Sequence, residues 1–242
     1  MLVLGFDTET TGLDTAKDFI IQIGAVLWET GATHKPAKRK LDVLIYDEDL
    51  PEMSPDALAT HQISVEDLKQ YGVPFKDALK DLWDMAEQAE WIVAHNGNQF
   101  DKPILESNIA RRAPKAPQLA QPWIDTSCDI EFPPGITTRK LSYLATEHGF
   151  INPFPHDAIS DVMTMLQVAQ RYDWKETVRY AKAPTLVVKA ETTYAQKELA
   201  KKQNYRWDGN TKSWTKSVKD FQLEETKRQA LDAGFKVTVL KK

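Results

Sequence analysis

Cysteine is almost absent from this 242-residue chain, in which Cys128 stands alone. A single thiol excludes an internal disulfide and a cysteine-built zinc cluster, and it suits a reducing compartment. No stretch is apolar for the ~20 residues that a membrane-spanning helix needs. The short apolar opening "MLVLG" has no basic segment before it, and Asp7 interrupts it. Neither a bilayer span nor a secretory leader is expected, and the cytoplasm is the expected compartment. Internal repeats and low-complexity tracts are missing as well. What is left is an ordinary globular composition, 42% hydrophobic and 27% charged, long enough for one medium domain and a small one.

The formal net charge of −4 conceals an asymmetry. Residues 1–184 carry 18 Lys+Arg against 28 Asp+Glu, a balance of −10, whereas residues 185–242 carry 13 against 7, a balance of +6. An acidic body with a basic tail points to a polyanion as the partner of the tail.

Hydrophobic periodicity divides the chain in the same place. "LVLGF" and "FIIQIGAVLWE" (19–29) read as strands, and "RKLDVLIY" (39–46) alternates as a third, giving an antiparallel meander. Helices follow: "SPDALATHQ", with Ser54 as cap and Pro55 at its first position, and 75–88, with Leu79, Leu82, Trp83 and Ala86 on one face. "WIVAH" (91–95) and "WIDTSC" (123–128) are further strands, with helices to about Arg112, through "TRKLSYLATEHG", and from Asp157 to Tyr172. After Pro184 the pattern restarts as βαββαβ, the split βαβ plan of a small α+β domain. The domains expected are therefore 1–183 and 184–242.

Asp7 and Glu9 close the first strand in "FDTETTG". Alternate strand residues share a face, so the two carboxylates project together as half of a site for a hard divalent cation. Asp101 follows "WIVAHNGNQF" at a helix start, where the dipole tolerates a negative charge. "PFPHDAISD" offers His156, Asp157 and Asp161, with Asp161 about one turn inside a helix.

In order, spacing and local context, "FDTETTG", "HNGNQFD" and "HDAISD" resemble the three exonuclease motifs of the DEDDh family, which includes the proofreading epsilon subunit, ribonuclease T and the mammalian three-prime repair exonucleases. The resemblance covers about residues 1–175. It implies a ribonuclease H-like α/β fold, a mixed five-stranded sheet flanked by helices. It also implies Asp7, Glu9, Asp101 and Asp161 as ligands of two Mg2+ or Mn2+ ions, and His156 as general base. Histidine, with an ordinary pKa of about 6.5, suits that role near neutral pH. Thr10 and Leu13 match positions that hold the terminal nucleotide, and Asp157 reads as a helix cap. The activity implied is 3′→5′ hydrolysis releasing 5′-mononucleotides. Single-stranded DNA 3′ ends are the first substrate and RNA the second, in a repair or proofreading setting with a polymerase or replication complex as partner. A silent nucleic-acid-binding or polymerase-docking module is the rival, opposed by five intact site residues.

Other candidates lie in the tail. Arg206, Trp207, Lys212 and Trp214 flank the turn "DGN", and aromatic and basic side chains on a hairpin suit stacked bases and phosphates. The competing expectation is that Trp207 and Trp214 form a cross-strand pair in a small core. His95 reads as a structural hydrogen-bonding residue, His34 and His148 as surface residues, and His61 has no assigned role. Trp28, Trp83, Trp91, Trp123 and Trp174 read as core.

Overall fold

Two runs rich in Leu, Ile and Val open the chain and pair antiparallel as β1 (Leu2–Thr10) and β2 (Ile20–Glu29), with β3 (Ala37–Leu44) on the far side of β2. The computed structural model describes residues 1–240. Helices α1 (Pro55–His61), α2 (Val65–Tyr71) and α3 (Phe75–Ala86) precede β4 (Trp91–Ala94), α4 (Asp101–Arg112) and β5 (Trp123–Asp125). Strands β4 and β5 join β1 in parallel, so the sheet order is β3-β2-β1-β4-β5. Helices α5 (Leu141–Glu147), α6 (Ala158–Ala169) and α7 (Trp174–Lys182) follow. The sheet is the expected mixed, five-stranded one. No helix of the described residues is long and apolar enough to cross a membrane.

β2 is buried along nearly its whole length, because helices cover both faces of the sheet. On one face Leu4, Phe6, Ile23 and Ala25 meet Leu79 and Leu82 of α3 and Ile104, Leu105 and Ile109 of α4. On the other, Val3, Val26 and Trp28 meet Val162, Met165 and Leu166 of α6. The helix ends follow their sequence signals. Ser54 accepts a hydrogen bond from the Ala57 amide ahead of Pro55, and Asp157 caps α6 through the Ser160 amide. Gly149, at φ +81°, follows the C-cap of α5, where a left-handed residue closes a helix.

Helices α2 and α7 lie outside what the sequence pattern predicts. Each is short, and α2 buries a single residue, Leu68, which leaves too little apolar stripe to read. His148 is not a surface residue. It is half-buried beside Phe132, and its Nε2 lies 2.7 Å from the Tyr172 hydroxyl. Trp28 and Trp91 are buried, and Trp83, Trp123 and Trp174 pack against the core clusters.

The chain forms two compact units, Met1–Ala181 and Lys182–Lys242. In the second, β6 (Thr185–Glu191), α8 (Lys197–Lys202), β7 (Arg206–Asp208), β8 (Ser213–Lys219), α9 (Leu223–Asp232) and β9 (Lys236–Val239) run in the βαββαβ order. The sheet order is β7-β8-β6-β9 with every neighbouring pair antiparallel. Val188, Ala190, Val218 and Phe235 form its core with Ala200 of α8 and Ala230 of α9.

At Gly24 the backbone of α6 packs directly on the sheet. A Cβ there would sit 2.4 Å from the Ala158 carbonyl carbon and 2.5 Å from the Ile159 nitrogen, backbone atoms that cannot rotate away. Gly24→Ala is expected to lower stability by at least about 1–3 kcal/mol, the range for overpacking, and to push α6 away from β2. A thermal midpoint equal to that of the wild type would show that the approach is not tight.

Candidate active site

The site forms at the carboxyl ends of the parallel strands β1 and β4, where open α/β sheets place their ligand sites. Asp7 pairs with Gly24 and Glu9 with Gln22 in the β1–β2 ladder, so both carboxylates face the α6 side of the sheet. Asp161, in the first turn of α6, meets them there. One carboxylate oxygen from each of Asp7, Glu9 and Asp161 lies within 4.8 Å of the others.

Two devices fix the start of α6 over the strand. Gln22 is buried in β2. Its Nε2 donates to Asp42 Oδ1 and Asp157 Oδ1, each at 3.0 Å, and its Oε1 accepts from the Ala158 amide. Asp161 accepts from Asn152 Nδ2, in a short bond, and from the His156 amide at 3.2 Å. His156 is exposed and adopts φ +65° between Pro155 and the helix. That conformation costs an L-residue about 1–2 kcal/mol, so the Asp161 bond and the proline-bounded turn must hold it.

Asp101 arrives from the opposite layer. It begins α4, is 2% exposed, and accepts a hydrogen bond of 3.0 Å from Thr8 Oγ1. The structure thus gathers Asp7, Glu9 and Asp161 into one group and sets Asp101 behind it, close enough to raise the Asp7 pKa. The loop before Asp101 is organised by Asp125, which accepts from the amides of Asn96 and Asn98 and from the amide and hydroxyl of Ser127. His95 bonds Thr126 and the Arg139 carbonyl, the structural role expected of it. Gln22, Asn152 and Asp125 belong to none of the sequence motifs, and only the fold shows what they hold.

Asp7, Glu9, His95, His156 and Asp161 line a cleft of about 660 Å³. Its walls include Asp7, Glu9, Asp18, Asp56 and Asp161 and, among the described residues, no lysine or arginine. Asp7 and Glu9 accept no hydrogen bond from any described residue, and Glu9 is 9% exposed. Burial drives their pKa values up, and the neighbouring carboxylates add to it: Asp7 is raised well above the carboxylate range and Glu9 to about 8. Burial also raises Asp101, to about 7 against the Thr8 bond, and raises Asp161. An all-oxygen donor set of mutually repelling carboxylates, with no lysine or arginine among the described lining residues, fits a hard divalent cation.

Thr10 is buried and donates from Oγ1 to the Gly12 carbonyl at 2.7 Å, shaping the turn that leaves Leu13 84% exposed at the cleft wall. His61, the last residue of α1, is buried in the same wall. Its Nδ1 accepts from the Ile63 amide, which leaves a ring proton for Nε2, and burial lowers its pKa. That Nε2 faces the Thr10 carbonyl side without closing a hydrogen bond. In the second unit, Trp207 and Trp214 pair across β7 and β8 and meet edge-on at 5.8 Å. Trp214 packs on the core, whereas Trp207 is 55% exposed. Arg206 points to the other face of β7 from Trp207, and exposed Lys212 sits in the turn.

The architecture is that of an exonuclease. A family model described as Exonuclease (RNase T) matches residues 4–169, and the chain belongs to that family. Among solved structures, E. coli exonuclease I in complex with a dA16 oligonucleotide is similar at 15% identity and TM-score 0.60, over 77% of this chain and 48% of that one. The chain therefore spans about half of that relative's length. The nuclease domain of 3′hExo, a DEDDh family member bound to rAMP, is similar at 17% identity and TM-score 0.55, over 70% of this chain and 90% of that one. The zinc-ion-bound form of the E. coli exonuclease I–ssDNA complex reaches TM-score 0.64 at 14% identity, over 96% and 69%. Compared with curated protein sequences, the chain has no match.

The raised carboxyl pKa values give a signed expectation. Folded Glu9 holds its proton up to about pH 8, against 4.5 as the ordinary value. Its contribution to stability is full below about pH 4.5 and is lost as the pH climbs to about 8. Without divalent ions the thermal midpoint is expected to fall across that window. The gain on adding Mn2+ should grow across the same window, because binding requires ionised carboxylates. A gain that is flat with pH would contradict this assignment of the cleft.

Proposed function

We propose that the chain is a divalent-metal-dependent 3′→5′ exonuclease that removes 5′-mononucleotides from single-stranded DNA. The observation that carries this reading is the group of Asp7, Glu9 and Asp161, buried or half-buried in a cleft lined by acids. An anionic phosphodiester enters such a cleft when cations neutralise it, and these three residues, with Asp101 behind them, would hold two Mg2+ or Mn2+ ions. The chemistry such ions supply is activation of water and stabilisation of the leaving oxygen in an in-line displacement.

The chain's own residues supply the rest. His156 takes the proton of the attacking water on an imidazole nitrogen as the water oxygen bonds to phosphorus. The bond from phosphorus to the 3′-oxygen of the preceding nucleotide breaks, that oxygen takes a proton from solvent water, a nucleoside 5′-monophosphate leaves, and His156 returns its proton to solvent. Asn152 positions the Asp161 carboxylate, whose second oxygen holds the His156 backbone in its left-handed turn, so base and ligand move as one element. Thr10 keeps the turn that presents Leu13, an apolar surface for the terminal base. The exonuclease I relatives bound to dA16 and dT13 oligonucleotides support DNA as the polymer. RNA is the second reading, favoured by the likeness to 3′hExo bound to rAMP.

The expected outcome for 5′-end-labelled single-stranded DNA and RNA with Mg2+ or Mn2+ is a ladder shortening from the 3′ end, faster on DNA. Asp7→Ala, Asp161→Ala and His156→Ala should each lower the rate by at least about a thousandfold, since such groups act as a unit. A 3′-phosphorylated strand should be a poor substrate. No cleavage of either polymer by the wild type, despite tight binding, would overturn the assignment in favour of a silent binding module.

A further inference from the structure

The catalytic cleft has no lysine or arginine among its described lining residues, yet the substrate class proposed above is a polyanion. The cations are concentrated elsewhere: from residue 185 onward Lys and Arg number 13 against 7 Asp and Glu. Most acids of this unit are committed within it. Glu198 pairs with Lys201, Glu224 with Lys227 and Glu225 with Arg228. Asp208 is occupied by the hairpin turn, accepting from the Asn210 amide and Thr211 Oγ1.

Along the β7 edge the arrangement is different. Trp207 is 55% exposed on the side of the sheet that carries α8, and its ring is braced edge-on by Trp214. Lys201 Nζ lies 5.7 Å from the Trp214 ring centre. Three further lysines lie in the adjoining segments: Lys202 in the last turn of α8, Lys212 in the turn before Trp214, and Lys216, two residues beyond Trp214 on the same side of β8, with its Nζ 5.8 Å from the Tyr205 ring centre. None of the three has an acidic partner among the described residues. Burial pushes the Lys216 pKa down, which a nearby anion would reverse. A large exposed indole braced by a second one, with lysines that lack acidic partners in the adjoining segments, matches the two needs of a single strand: a stacking platform for a base and point charges for phosphates.

We infer that the second unit binds single-stranded polynucleotide along its β7 edge, with Trp207 stacking on a base and Lys202, Lys212 and Lys216 contacting phosphates. The inference rests on the exonuclease reading for the identity of the polymer. Trp214 is the brace rather than a second platform, because its ring packs on the core beside Ala190. The separate expectations for the tryptophan pair, core packing or base stacking, thus apply one to each ring.

The test uses the full chain with divalent ions chelated by EDTA, titrated against end-labelled oligo-dT and oligo-rU of equal length. Trp207→Ala should weaken binding by at least about fivefold, the lower end of a base–aromatic stack, and Trp207→Phe should restore most of it. On an abasic strand of the same length the wild type and Trp207→Ala should bind alike. Changing Lys202 and Lys212 together to Gln should flatten the slope of log K against log salt by about 1.4, or 0.7 for each phosphate no longer neutralised. Equal binding of oligo-dT by wild type and Trp207→Ala would overturn the inference. So would displacement of the strand by poly-glutamate as readily as by unlabelled oligonucleotide, an outcome that assigns the edge to an acidic polypeptide. Cleavage by the wild type with Mg2+ is scored separately, so failure of this surface leaves the exonuclease reading standing.

Discussion

Three carboxylates held together without a lysine or arginine beside them are the constraint that organises the first unit. Burying an ionised carboxylate costs several kcal/mol even after relaxation, and Asp7, Glu9 and Asp161 repel one another besides. No lysine or arginine lines their cleft among the described residues, and neither Asp7 nor Glu9 receives a hydrogen bond there. Such an arrangement is unfavourable in the empty protein and becomes favourable when divalent cations bind. Stability is sacrificed at this point for a site that is ready to coordinate.

Much of the surrounding structure serves to keep those groups in place. Gly24 lets α6 lie against β2 closely enough for Asp161 to reach the strand. Gln22 and Asp157 tie the first amides of that helix to the sheet. In the opposite layer, Asp125 gathers the amides of the loop that leads into α4 and so fixes the entry of Asp101. The site therefore draws on both helical layers, and the sheet between them sets the spacing.

The acidic motifs are legible in the sequence because strand and helix periodicities place their side chains. Asp7 and Glu9 two apart on a strand, and Asp161 one turn into a capped helix, can be located without coordinates. The supporting residues are less visible, since their roles depend on contacts between segments far apart in the chain. Gln22 meets Asp157 across 135 positions. Its signal is present in "FIIQIGAV", where one amide interrupts a buried apolar run, and a polar group in such a place needs a partner. "WIDTS" carries the same signal for Asp125. His148 reads as a surface residue because its partners, Phe132 and Tyr172, come from other segments. The order of elements in the second unit follows from its turns and alternation, whereas which of Trp207 and Trp214 packs on the core requires knowing which ring the helices cover.

The most direct test of this account is thermal unfolding of Asp7→Asn beside the wild type, with and without Mn2+, near pH 8. Removing one ionisable member of the cluster should raise the metal-free midpoint, because it relieves repulsion without changing shape, and should abolish most of the Mn2+-dependent rise. A variant less stable than the wild type without metal, and still stabilised by Mn2+ to the same extent, would contradict the claim that these carboxylates are held in place for cations.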